Sequence, residues 1–227
     1  MESEISQYKD DASSTKLQLD TVSRQNSILH GKISDIQSLE AKRIVETTNA
    51  AKQILSLFLG LTDSQSTTRI SVYVMTPRND TVRLVARSTK NPELEGEPQA
   101  EYPKQGAILK AWTLGSHFGP LLPDPDIDLD AYVRTSSNTY AIPMNRVRRS
   151  RMKPRRYFAW QLPGNTQQGA PCGVVSIECQ HEGEEFAQLL PDVIKETEIQ
   201  HAIALLAYQV QEYWRMNPAR PVSELEG

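Results

Sequence analysis

Arg156-Tyr-Phe-Ala-Trp-Gln-Leu162 and Gly173-Val-Val-Ser-Ile-Glu-Cys179 are the stretches whose alternation decides the fold. Successive side chains of a β-strand point to opposite faces. In the first stretch Phe158 and Trp160 share one face, and Tyr157 and Gln161 share the other. In the second, Val175 and Ile177 share a face, with Ser176 and Glu178 opposite. An antiparallel sheet covered by helices on one side buries its greasier face there. Phe158, Trp160, Val175 and Ile177 are therefore expected beneath helices. Tyr157, Gln161, Ser176 and Glu178 are expected to face the side that carries the loops.

Working outward, earlier segments supply more sheet. Arg69-Ile-Ser-Val-Tyr-Val-Met75 and Thr81-Val-Arg-Leu-Val-Ala-Arg87 alternate too, and Pro77-Arg-Asn-Asp80 between them is turn chemistry. The pair reads as a hairpin. Residues 89–104 are polar with three prolines and read as a loop. Gly106-Ala-Ile-Leu-Lys-Ala-Trp-Thr-Leu114 reads as a short helix ended by Gly115. Residues 116–155 read as one irregular stretch, first acidic and then basic. Phe186 to about Met216 reads as a long exit helix, with Pro191 tolerable in its first turns. Residues 217–227 read as a mobile tail.

Residues 2–59 contain no proline and read as helix. A seven-residue repeat places Ile5, Ala12, Leu19, Asn26 and Ile33 at one core position. It places Tyr8, Thr15, Val22, Leu29 and Ile36 at the other. Two apolar positions in seven make a narrow seam, the pattern of a coiled coil rather than of a helix lying on its own domain. A single Asn at such a position specifies a parallel dimer at some cost in stability. Dimerisation is expected through Leu19, Val22, Asn26, Leu29, Ile33 and Ile36. Glu40 and Arg43 interrupt the seam, and the apolar face broadens to Ile44, Thr47, Ala51, Ile54, Leu55 and Phe58. There the helix is expected to leave its partner and dock on a globular domain, stopping at Gly60. The expected division is a coiled coil over 1–43, a sensor domain over 44–216 and a disordered tail over 217–227.

Helix, hairpin, short helix, long loop, two strands and exit helix, in that order, resemble the GAF family over roughly residues 40–214. Arg69-Ile-Ser-Val-Tyr-Val resembles the family's first strand. Tyr102-Pro-Lys-Gln-Gly106, with Ile108, Ala111 and Trp112, resembles its glycine-led helix. Arg156-Tyr-Phe-Ala-Trp-Gln-Leu-Pro163 and Gly173-Val-Val-Ser-Ile-Glu178 resemble its two later strands. The resemblance implies an α+β fold, a GAF-like antiparallel sheet flanked by helices, with ligands on the loop side. It stops short of a ligand. The Asn-Lys-Phe-Asp-Glu set of cyclic-nucleotide-binding members, the loop cysteine of bilin-binding members and the cysteine cluster of methionine-sulfoxide-reducing members are all missing.

Composition excludes several classes. A formal net charge of −3 over 227 residues implies no general attraction to nucleic acid or anionic lipid. The longest greasy run, Ile54-Leu-Ser-Leu-Phe-Leu59, is far too short to span a bilayer, and the N-terminus lacks the features of a signal peptide. A cytoplasmic protein is expected. Cys172 and Cys179, seven apart in one strand, would sit about 23 Å from each other, beyond any disulfide. Without a CxxC, and with four scattered histidines, no metal site is expected. Asp124-Pro-Asp-Ile-Asp-Leu-Asp130 has Leu129 and Thr135 where a calcium loop needs Gly and Glu, so it reads as a solvated acidic loop. Residues 146–156 hold seven basic residues in eleven. No base-stacking aromatic is interleaved, which disfavours nucleic acid. Pairing with the aspartates at 124–130 and grip on a small anion both stay open.

The expected function is a non-enzymatic sensory module that forms a homodimer through its helices, binds a small anionic ligand and signals to an unidentified protein partner in trans. No cofactor is expected. The expected ligand contacts are Trp112, His117, Tyr157, Gln161, Ser176 and Glu178, with Arg148 and Arg149 from a mobile basic loop that gates the site. A stand-alone reductase-like enzyme of the same fold, and an assembly domain without ligand, remain alternatives. The first would need a cysteine of low pKa in a pocket loop.

Overall fold

Strand alternation organises the molecule as the two opening stretches suggest. A computed structural model describes residues 2–61, 67–76, 80–94, 102–164, 170–180 and 197–216. Its strands are β1 (Thr68–Met75), β2 (Thr81–Thr89), β3 (Tyr102–Pro103), β4 (Ser116–Phe118), β5 (Arg156–Leu162) and β6 (Gly173–Cys179). They form one sheet in the order β3-β2-β1-β6-β5-β4. Every adjacent pair is antiparallel. The helices are α1 (Glu2–Leu61), α2 (Gly106–Leu114), α3 (Leu129–Tyr140), α4 (Met144–Arg149) and α5 (Thr197–Met216). This is the α+β, antiparallel architecture with a long N-terminal helix that the family resemblance implies.

The chain divides into two compact units, Met1–Arg43 and Ile44–Gly227. In the first, α1 is helical from Glu2. Leu19, Val22, Leu29, Ile33 and Ile36 are each more than half exposed, as are Leu17, Ile28 and Leu39 outside the seam.

In the second unit one face of the sheet lies under α1 and α5. Ile44, Ala51, Leu55 and Leu59 recur every four or seven residues and bring one stripe of α1 onto the sheet. Thr47 is buried with them, and Ile54 packs at the edge. Ile203, Ala204, Ala207, Val210, Tyr213 and Trp214 form the matching stripe of α5. Between them lie Ile70, Val72 and Val74 of β1, Phe158 of β5, and Val175 and Ile177 of β6, with Trp160 at the margin. A register shift at Val72/Tyr73 in the β1–β2 ladder lets consecutive Val85 and Ala86 of β2 both join this core.

Three expectations need correction. The stretch 116–155 is not irregular, for it holds β4, α3 and α4. The region 89–104 is not all loop, since Pro92–Leu94 form a 3-10 turn and Tyr102–Pro103 pair with β2. Helix α1 does not stop at Gly60 but continues to Leu61. Gly115 does end α2, with φ 86° and its N–H donating to the Ala111 carbonyl at 2.8 Å. The turn residues 77–79, the Phe58 side chain, the start of the exit helix with Pro191, and the tail 217–227 lie outside the described residues.

Candidate functional site

On the opposite face of the sheet, small side chains leave room. Ser71, Ser176 and Ala159 stand in register across β1, β6 and β5, and Arg69, Glu178 and Tyr157 form the next row. Over these rows pack α2, α3 and α4, and between sheet and helices lies a cavity of about 170 Å³. Its floor is Tyr157, Ser176 and Glu178; Tyr132 and Ser136 of α3 and the first turn of α2 make the walls; Arg146 and Ser150 stand at the mouth.

Each wall is positioned by local chemistry. The Asp128 side chain accepts from the Ala131 N–H at 2.8 Å and caps α3, opening its helical turn. Helix α3 then buries Tyr132, Val133, Ser136 and Tyr140 along one stripe. The Tyr132 hydroxyl donates to the Pro154 carbonyl at 3.1 Å, tying α3 to the segment that enters β5. Gly119 donates its N–H to the Tyr157 carbonyl at 2.7 Å, and a Cβ at Gly119 would collide with the Tyr140 hydroxyl. Helix α2 begins at Gly106, φ 67°, where a Cβ would press on Ile142 Cδ1 at 3.2 Å. Its N-cap, Gln105, makes no side-chain capping bond.

Electrostatically the floor is a paired charge among neutral phenols. Arg69 Nε donates to Glu178 Oε2 at 2.6 Å, Nη2 approaches the same oxygen, and Nη1 donates to the Leu94 carbonyl at 3.4 Å. Burial works against the Arg69 charge and the facing Glu178 carboxylate favours it, leaving the guanidinium pKa raised. Burial, then the Glu178 carboxylate, raises Tyr157 well above the ordinary phenol range and raises Tyr73 too. Burial pushes Tyr132 up to about 12. These tyrosines stay neutral hydrogen-bonding groups at any physiological pH.

Of the residues expected at a ligand site, Tyr157, Ser176 and Glu178 come together on this floor. The others do not line it. Gln161 Nε2 donates to the Trp112 carbonyl at 2.5 Å, which fastens β5 to α2. Trp112 carries Lys104 Nζ at 5.6 Å from its ring. His117 lies edge-on to Tyr140, 5.8 Å between centroids, its buried Nε2 without a hydrogen-bond partner among the described residues; burial and then Lys110 hold its pKa down. Arg148 pairs with Asp130 at the surface, and Arg149 ends α4 fully outside the cavity. The aspartates neutralise part of the basic run. Arg155 Nη1 bonds Asp124 Oδ2 at 3.1 Å and Nε bonds the Leu122 carbonyl at 3.2 Å. Residues 144–149 of the expected gate form helix α4, joined to α3 by the Arg148–Asp130 pair. Among the described residues no group of three acidic, histidine or cysteine side chains could hold a metal.

Reading the sequence missed Tyr132 and Ser136, and took Gly106 only as the start of a helix and Arg146 only as part of the basic run. For α3 a signal was present: Leu129, Tyr132, Val133, Ser136 and Tyr140 recur at helical spacing behind a capping Asp128. Thr135-Ser-Ser-Asn-Thr139, poor helix formers, masked it.

No family model matches the sequence, and no match is found among curated proteins. Among the solved structures similar to this chain are GAF domains and methionine-R-sulfoxide reductases. The GAF domain of an Acinetobacter phosphoenolpyruvate-protein phosphotransferase is 16% identical, covering 74% of this chain and 93% of its own, with a TM-score of 0.39. The phycocyanobilin-bound GAF domain of a cyanobacterial phytochrome is 12% identical, covering 78% and 96%, with a TM-score of 0.43. The type II free methionine-R-sulfoxide reductase of Thermoplasma acidophilum is 12% identical, covering 72% and 96%, with a TM-score of 0.41.

Proposed function

We propose that this chain is a non-enzymatic sensory module: a homodimer held by α1, whose second unit binds a small ligand on the free face of its sheet and passes the change to a protein partner. One observation carries the reading. Strand β6 presents Ser176 and Glu178 to the cavity and Val175 and Ile177 to the α1–α5 core. A ligand that shifts β6 necessarily presses on the helices behind it, because a close-packed core transmits displacement. The uncovered seam of Leu19, Val22, Leu29, Ile33 and Ile36 supports self-association, since so regular an apolar stripe left in water is a liability unless a second copy covers it. No helix among the described residues is long and apolar enough to cross a membrane.

The non-enzymatic part rests on the thiols. Both cysteines are buried, and burial pushes Cys172 up to about 11 and Cys179 up to about 12. Neither is a thiolate near neutrality, as a reductase nucleophile has to be.

Light scattering of the full chain with Leu29→Asp and Ile33→Asp tests the dimer. The native chain should weigh in at twice 25.5 kDa and the double variant at 25.5 kDa with unchanged helical circular dichroism. A native chain that is monomeric at micromolar concentration contradicts the proposal. Native mass spectrometry of protein purified from its own host tests for a retained small molecule.

A further inference from the structure

Buried backbone donors and one orphaned hydroxyl converge on the cavity from opposite sides. The first three N–H groups of any helix lack intrahelical partners. In α2 these belong to Gly106, Ala107 and Ile108; Gln105 leaves them uncapped, and the intrahelical ladder begins only with the Leu109 N–H to the Gln105 carbonyl at 3.4 Å. Gly106 and Ala107 are buried, and all three residues line the cavity. Buried N–H groups without acceptors are rare because each costs about the free energy of a lost hydrogen bond. Facing them from the sheet is Ser176, 3% exposed, whose hydroxyl bonds no described residue. Arg146, exposed at the mouth, has no acidic partner among the described residues. Arg69 Nε and Nη2 converge on Oε2 of Glu178, which leaves Oε1 as an open acceptor.

We propose, building on the ligand-binding reading above, that this cavity takes a small organic carboxylate carrying a hydrogen-bond donor. Its carboxylate sits at the α2 N-terminus against the Gly106 and Ala107 N–H groups and Arg146, and its donor reaches Glu178 Oε1 and Ser176. The polarity follows from the charges. Helix N-termini and guanidinium forks favour anions. A carboxylate on the floor repels a second negative charge, so a monoanion is preferred to a phosphate dianion. Size agrees with it, since a cavity of about 170 Å³ has room for a molecule of roughly benzene's bulk. Gly106 suits the role because a backbone at φ 67° with no side chain lets a ligand oxygen approach its N–H. The acidic group is thereby read by Arg146 and α2, not by Arg148 and Arg149.

The test is amide NMR of the full chain titrated separately with acetate, glycolate, inorganic phosphate and phenol. Acetate should move the Gly106 and Ala107 signals saturably at millimolar concentration, and glycolate, which adds a hydroxyl donor, should bind more tightly. Arg146→Ala should weaken both by about tenfold or more, as expected for a charge-assisted bond, and Arg148→Ala should change neither. Equal affinity in Arg146→Ala, or saturation by phosphate alone, overturns the carboxylate assignment. If phenol shifts Tyr132, Tyr157 and Ser176 while no anion moves the α2 signals, the carboxylate proposal fails and the ligand cavity survives. If none of the four probes shifts cavity signals, both fall.

Discussion

Glu178→Ala tests how much the polar floor contributes to the sheet. Arg69 and Glu178 are opposite one another in the central β1–β6 ladder, with side chains 16% and 15% exposed and Nε 2.6 Å from Oε2. At an effective dielectric constant of about 20 that separation gives about 6 kcal/mol of gross attraction, most of it offset by taking both charges out of water. Removing one partner of a buried pair costs about 3–5 kcal/mol, because the other charge stays behind uncompensated. Here the cavity admits water and the Leu94 carbonyl keeps its bond to Nη1, so about 2–3 kcal/mol is expected. Arg69→Met and Glu178→Leu, made singly, should each cost a similar amount, while the two combined strand neither charge and should recover most of the loss. The assay is urea unfolding of the full chain by far-ultraviolet circular dichroism, at one protein concentration so that self-association cancels. If the two single losses simply add in the double variant, with coupling under about 0.5 kcal/mol, the pair does not act as a unit and the reasoning is refuted.

Gly119→Ala should destabilise by about 1–3 kcal/mol through the clash with the Tyr140 hydroxyl. Adding Tyr140→Phe should relieve part of that loss in the same unfolding assay. The thiols predict alkaline lability. Cys172 and Cys179 ionise near 9.0 when unfolded and near about 11 and 12 when folded, so their contribution is intact below pH 9 and fades as pH rises toward 12. Each adds a slope of at most about 1.4 kcal/mol per pH unit in that window. Urea midpoints between pH 8 and 10.5 should fall above pH 9, and Cys179→Ala should flatten the fall. At pH 8 a thiol reagent should label the native protein far more slowly than the unfolded one. Asn26→Val should raise the thermal midpoint while broadening the distribution of oligomers seen by light scattering.

What the sequence disclosed, and what it hid, follows from the range of the interactions involved. The faces of β5 and β6 were legible because strand parity is fixed by the chain alone: Phe158, Val175 and Ile177 do lie in the α1–α5 core, while Tyr157, Ser176 and Glu178 lie on the other side. The apolar spacing of α1 beyond Ile44 was equally legible. Helix α3 was not, because its Ser- and Thr-rich sequence is made helical by burial of Tyr132, Val133 and Tyr140 rather than by propensity. The roles within the basic run were hidden for a related reason. Seven adjacent cations look alike in sequence, and what separates Arg155 and Arg148 from Arg146 is an aspartate that only the folded loop brings near.

That sorting of cations bears on how binding would reach the helices. Arg155 fixes the entrance of β5: its side chain holds Asp124 and the Leu122 carbonyl, its N–H donates to the Cys179 carbonyl at 2.7 Å, and its own carbonyl accepts from Leu122 N–H at 2.8 Å. The β5–β6 end is therefore clamped by polar bonds, whereas α4 meets that frame through buried Val147 and the exposed pair of Arg148 with Asp130. Exposed pairs contribute little because water screens them. Any displacement of the floor would then have to come through Ser176 and Glu178 themselves, with Ile177 between them belonging to the core that α1 and α5 cover. Strand β6 is the short route from cavity to helices, and the loop cations are not part of it.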